Sequence, residues 1–126
     1  MNLKKKVIIA DDCKWVRETT KEIIEDKIGL EVHEACNGKE VLNLLMKKPF
    51  DLLIVDIAMP EMSGIELIDK LRLSGNAIPI IVLSGVLGSH IREQLYWHDK
   101  SIKIIEKPFS IETLAKAVEK VISCKN

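Results

Sequence analysis

Leu52-Leu53-Ile54-Val55 is an unbroken apolar run rich in branched side chains, and it ends on a carboxylate, Asp56, where another apolar residue would be expected. A run this short and uniformly apolar marks a strand buried on both faces, the kind found in parallel sheets. Pro60 has no amide hydrogen to donate, so Ile57 to Ser63 reads as a loop, and Ser63-Gly64 opens a new helical pattern. In open α/β sheets, ligands sit in the crevice beyond the carboxyl ends of the strands. Asp56 at such an end is a candidate ligand, nucleophile or helix cap, and the rest of the chain has to decide which.

Four further strands follow the same logic. Val7-Ile8-Ile9-Ala10 is a buried strand closed by Asp11-Asp12, and a helix from about Lys14 to Lys27 presents Val16, Thr20, Ile23 and Ile24 on one face. Gly29 stops that helix, and Leu30 to Ala35 alternates enough to suit an edge strand. Asn37-Gly38 starts a second helix, with Val41, Leu42, Leu44, Leu45 and Met46 expected to be mostly buried before Pro49. A third helix from Gly64 to about Leu73 turns Ile65, Leu67, Ile68 and Leu71 inward and ends at Ser74-Gly75-Asn76. Pro79 introduces the strand Ile80-Ile81-Val82-Leu83, closed by Ser84-Gly85. A helix is expected from Gly88-Ser89 through about Trp97, then a strand from Ile102 to Ile105 and the loop Glu106-Lys107-Pro108-Phe109. Ser110 caps a last helix whose apolar face is Ile111, Leu114, Ala117, Val118, Val121 and Ile122.

Five β-α repeats with short connections predict an α/β fold, a doubly wound five-stranded parallel sheet with helices on both faces. The 126 residues suffice for one compact domain with a real core, and the reading is a single domain over 1–126 with no output domain attached. Lys plus Arg equals Asp plus Glu, which removes the electrostatic case for non-specific binding to nucleic acid or to an anionic membrane. No apolar run approaches the roughly 20 residues that span a bilayer. Cys13, Cys36 and Cys124 are odd in number and far apart, so reduced thiols in a cytoplasmic protein are expected.

Parallel strands send their carboxyl ends to one edge of the sheet. Asp11 and Asp12, Asp56, Ser84 and Lys107 all stand at such ends, so three carboxylates, a hydroxyl and an ammonium should converge. Singly, each has a plain structural reading: Asp11 or Asp12 as a cap for the first helix, Ser84 as a turn residue, Lys107 as a surface charge. Independent caps have no reason to occupy matching strand ends, and the coincidence favours a site. Clustered carboxylates repel one another unless a cation compensates, and hard oxygen ligands suit Mg²⁺. With such an ion, one carboxylate can stay ionised as a nucleophile toward a phosphoryl group, with Lys107 as a second cation and Ser84 as a hydrogen-bond donor.

These residues, with Arg17, Ala35-Cys36-Asn37-Gly38-Lys39-Glu40, Met59-Pro60-Glu61-Met62-Ser63-Gly64, Pro79 to Gly85 and Lys107-Pro108-Phe109, closely resemble the receiver domain of two-component response regulators, over nearly the whole chain. The resemblance implies a flavodoxin-like, CheY-like sheet of strand order 2-1-3-4-5. It implies that Asp56 is the phosphoacceptor, that Asp11, Asp12, Asp56 and the backbone carbonyl of Ala58 hold Mg²⁺, and that Ser84 and Lys107 contact the phosphoryl group. The implied partners are a sensor histidine kinase or phosphotransfer protein, as phosphohistidine donor, and a downstream protein target. Such a module is not a conventional turnover enzyme. Two departures stand out: Ile104 replaces the Tyr or Phe usual three residues before the Lys, and Asp99-Lys100-Ser101 replaces the usual Gly-Ala segment.

Two other readings compete. A phosphatase of the haloacid dehalogenase type also uses an Asp after a strand, but it would carry a second Asp where this chain has Ala58. A flavodoxin-like interaction module that no longer depends on phosphorylation would have no need of Ser84 and Lys107. No Gly-rich phosphate loop is present, which argues against nucleotide hydrolysis.

Overall fold

The computed structural model of the chain describes residues 4–85 and 102–123. The elements in order are β1 (Lys6–Ala10), α1 (Lys14–Lys27), β2 (Glu31–Ala35), α2 (Gly38–Lys47), β3 (Leu52–Asp56), α3 (Gly64–Leu73), β4 (Ile80–Ser84), β5 (Lys103–Glu106) and α4 (Ile111–Ser123). The expected helix from Gly88 to Trp97 lies outside the described residues.

All strand pairs are parallel and the sheet order is β2-β1-β3-β4-β5, the doubly wound arrangement expected from the alternation of elements. The uninterrupted apolar runs map to the strands with helices on both sides, since every residue of β3 and β4 is buried. Successive side chains alternate between two cores. Ile8, Leu53, Val55 and Val82 pack with Val41 of α2 and Leu67, Ile68 and Leu71 of α3. Val7, Ile9, Leu52, Ile54, Ile81 and Leu83 pack on the other face with Ile24 of α1 and Leu114, Ala117 and Val118 of α4. The edge position of β2 agrees with its alternating pattern, in which Val32 and Ala35 are buried and Glu34 is exposed.

Helix starts are set by short side chains that satisfy otherwise unpaired amides. Asn37 accepts from the Glu40 amide at 2.9 Å, Ser63 from Glu66 at 3.2 Å and Ser110 from Thr113 at 3.1 Å. Glu40 also reaches back to the Cys36 amide at 2.7 Å.

Two expected core residues are not in the core. Met46 is 85% exposed, because it follows Val41 by five residues, about 140° around the helix from the buried stripe. Ile111 lies on the correct stripe of α4 but in its first turn, beyond the end of the sheet, and is 45% exposed. Together with Trp15, Val16, Phe109 and Lys107 it borders an apolar cleft of about 570 Å³ beside the carboxyl edge of the sheet.

Candidate functional site: an acidic pocket at the carboxyl edge of the sheet

The neighbouring central strands β1 and β3 end side by side, with Ala10 opposite Val55, so Asp11 and Asp56 leave the sheet together. Both are buried, at 1% and 7% exposure, whereas Asp12 is open to solvent. Carboxylate oxygens of Asp11, Asp12 and Asp56 lie within 4.8 Å of one another. The capping alternative for the acidic pair fails, since α1 begins after Cys13 with no side-chain cap bond.

Lys107 enters from the far side of the sheet. Its amide donates to the Ser84 carbonyl at 2.7 Å, which carries the β4–β5 pairing one residue past the strand and aims the side chain inward. The ammonium nitrogen then sits 3.3 Å from Asp11 Oδ2 and 3.4 Å from Asp56 Oδ2. The remaining oxygens are used symmetrically. Asp11 Oδ1 accepts from the Cys13 amide at 2.9 Å, and Asp56 Oδ1 accepts from the Ala58 amide at 3.3 Å. Each buried carboxylate thus spends one oxygen on Lys107 and one on the backbone two residues on, which fixes both rotamers.

The charges are held under strain. Burial, the largest influence, pushes the Asp56 carboxyl above its usual range; Lys107 opposes this and Asp11 adds to it. Burial works against the Lys107 ammonium, yet Asp56 and Asp11 outweigh it and hold its pKa above the ordinary lysine value. One ammonium therefore does not fully compensate three carboxylates, and the pocket favours added positive charge.

Of the residues expected at the site, Asp11, Asp12, Asp56 and Lys107 meet directly. Ser84 is buried at the end of β4 on the same edge, and its backbone positions Lys107. Ala58 is exposed, with its amide on Asp56. Gly64, expected only to open the third helix, also makes a close backbone approach to the site. An added Cβ there would lie 2.7 Å from the Asp56 carbonyl oxygen, and the Gly64 amide donates to the Ile57 carbonyl at 2.8 Å. Its only signal was a glycine directly after the cap Ser63, a place where the start of α3 must pass close to another backbone.

An acidic pocket beyond the central strands of a doubly wound sheet is suited to binding a phosphoryl group with a divalent cation. The match to the response regulator receiver domain family runs over residues 7–119, and the chain belongs to that family. It is a receiver domain of two-component signalling, with Asp11, Asp12 and Asp56 forming the acidic pocket for phosphorylation. The receiver domain of the Francisella response regulator 1452 is 30% identical, with a TM-score of 0.87 over 98% of this chain and 100% of that one. Response regulator RR06 of Streptococcus pneumoniae is 30% identical over 92% of this chain and 52% of its own length. Sporulation initiation phosphotransferase F of Bacillus subtilis is 27% identical over 98% of both chains. The chain spans about half the length of several regulators that it matches. Membership implies a kinase or phosphotransfer partner, and the acidic triad is of the type receivers use for Mg²⁺. Among the described residues no helix is long and apolar enough to cross a membrane.

Proposed function

We propose that Asp56 is the phosphoacceptor, taking a phosphoryl group from a phosphohistidine on a sensor histidine kinase or a phosphotransfer protein. The observation that carries this is the Lys107 ammonium, placed 3.3–3.4 Å from Asp11 and Asp56 at the mouth of a buried carboxylate pair. Ionised Asp56 attacks phosphorus, the P–N bond of the donor breaks as the P–O bond forms, and the donor imidazole leaves. The attacking oxygen needs a fixed rotamer, and the bonds to the Ala58 amide and Lys107 supply it. Phosphoryl transfer rests on position and charge, so few groups are required.

Three clustered carboxylates, one of them open to solvent, fit a hard divalent cation that keeps part of its water. Asp11, Asp12 and Asp56 would hold Mg²⁺ with the Ala58 carbonyl, and the ion would neutralise charge on the incoming phosphoryl oxygens. Lys107 would then turn from the carboxylates to a phosphoryl oxygen, with the Ser84 hydroxyl donating to another. Ile104 is half-buried against the core on the α2–α3 side, so output proceeds without an aromatic ring at that position.

The test is incubation with phosphoramidate and Mg²⁺, which needs no kinase, followed by intact mass. One phosphoryl group per chain is expected, with none in Asp56→Asn or in chelator. Equal incorporation by Asp56→Asn at the wild-type rate would overturn the assignment. Catalytic turnover of a small phosphate ester would favour a phosphatase instead.

A further inference from the structure

Arg17 stands in the first turn of α1, a poor place for a cation because the helix N-terminus is itself positive. No acidic residue accompanies it in that turn. Its bonds explain the placement. One guanidinium nitrogen, Nη1, donates to the Asp11 backbone carbonyl at 2.7 Å, and Nε donates to Glu34 Oε1 at 3.0 Å. The side chain is only 14% exposed. Glu34 comes from the edge strand β2, and its other oxygen faces the Lys21 ammonium at 3.6 Å.

The Asp11 carbonyl belongs to the peptide that joins Asp11 to Asp12. Asp11 is otherwise well secured, through its amide to the Ala35 carbonyl at 3.1 Å, through Oδ1 to the Cys13 amide, and through Oδ2 to Lys107. Asp12 is exposed, and the carboxylates it must join are buried. The orientation of the Asp11–Asp12 peptide decides where the Asp12 carboxylate falls, and Arg17 holds that peptide. The rigid fork of a guanidinium can serve both partners at once, whereas a lysine ammonium cannot reproduce that geometry.

We propose that Arg17, clamped by Glu34, is a positioning residue that fixes the Asp11–Asp12 peptide and thereby sets the divalent-cation affinity of the acidic pocket. This rests on the reading that the pocket binds Mg²⁺. It makes β2 part of the metal site without contributing a ligand. Outer partners of metal ligands commonly change affinity by roughly 10–100-fold when lost.

Mg²⁺ binding is measured by calorimetry on wild type, Arg17→Ala, Arg17→Lys, Glu34→Gln and the Arg17→Ala/Glu34→Gln double variant, with folding followed by circular dichroism in chelator. The expected result is weakening by roughly tenfold or more in Arg17→Ala and by a smaller factor in Glu34→Gln, with incomplete rescue in Arg17→Lys. The double variant should bind no worse than Arg17→Ala, because the two residues act as one unit. Phosphorylation by phosphoramidate should shift to higher Mg²⁺ and recover at saturation. Wild-type protein that binds no Mg²⁺ would refute the metal reading itself. Wild-type affinity in folded Arg17→Ala would overturn the positioning role alone, as would fully additive losses in the double variant. If Arg17→Ala does not fold, unchanged affinity in both Glu34→Gln and Arg17→Lys gives the same refutation.

Discussion

Gly64→Ala is expected to damage the pocket although residue 64 bears no chemistry. An added Cβ would sit 2.7 Å from the Asp56 carbonyl oxygen, 2.9 Å from the Ile57 Cα and 3.3 Å from the Asp56 carbonyl carbon. All three are backbone atoms, so no flexible side chain can turn aside. Either α3 backs away from the sheet or the end of β3 is displaced by some tenths of an ångström. Overpacking of this kind costs about 1–3 kcal/mol. Against it stands a gain of about 0.4–1 kcal/mol from a less flexible unfolded chain. Because Gly64 directly follows the cap Ser63, little is added by helix propensity. The clash wins, with a net loss of about 1–2 kcal/mol, or roughly 4–8 °C in Tm for a domain of this size. Since the displaced atoms belong to Asp56 and its neighbour, phosphorylation should slow on the order of tenfold. Thermal unfolding in chelator gives the first number, and the phosphoramidate rate at saturating Mg²⁺ gives the second. A Tm equal to or above wild type, with an unchanged rate, would show that the close approach does not position Asp56.

Two further outcomes follow from the charges and the exposure of the pocket. The folded pKa of Asp56 is raised, chiefly by burial, so the folded state holds its proton over a pH range where the unfolded chain, near pH 4, has released it. Metal-free stability should therefore fall as pH rises through that window, and Asp56→Asn should raise the neutral-pH denaturation midpoint in chelator while abolishing stabilisation by Mg²⁺. A lower chelator midpoint in Asp56→Asn would contradict this. Ala58 is exposed beside Asp56 and carries no group to orient an attacking water, so the phosphorylated protein should lose phosphate slowly. Ala58→Asn should speed that loss by several-fold to about tenfold, read as decay of purified phosphoprotein in Mg²⁺ without a donor; an unchanged decay rate would refute it.

The fold was legible because burial on both faces leaves a sheet strand no room for polar residues. Leu52 to Val55 are all fully buried, and the same holds within 2% exposure for Ile80 to Leu83. Asp56 was legible for the same reason, as a carboxylate interrupting such a run. Helix ends were less so: Met46 and Ile111 have apolar side chains, but one lies off the buried stripe and the other beyond the sheet. The roles of Arg17 and Gly64 were hidden by a different cause. Both act on backbone atoms, the Asp11 carbonyl and the Asp56 carbonyl, and a backbone atom leaves no mark in the sequence.

The most direct test of the central claim is to locate the phosphoryl group chemically. Protein phosphorylated in Mg²⁺ is treated with borohydride, which reduces an acyl phosphate to homoserine, and the peptides are sequenced by tandem mass spectrometry. Conversion at position 56, with Asp11 and Asp12 intact, is the predicted result. Homoserine at position 11 or 12 with Asp56 unmodified, or a phosphoryl group that resists reduction on a serine, threonine or histidine, would contradict it.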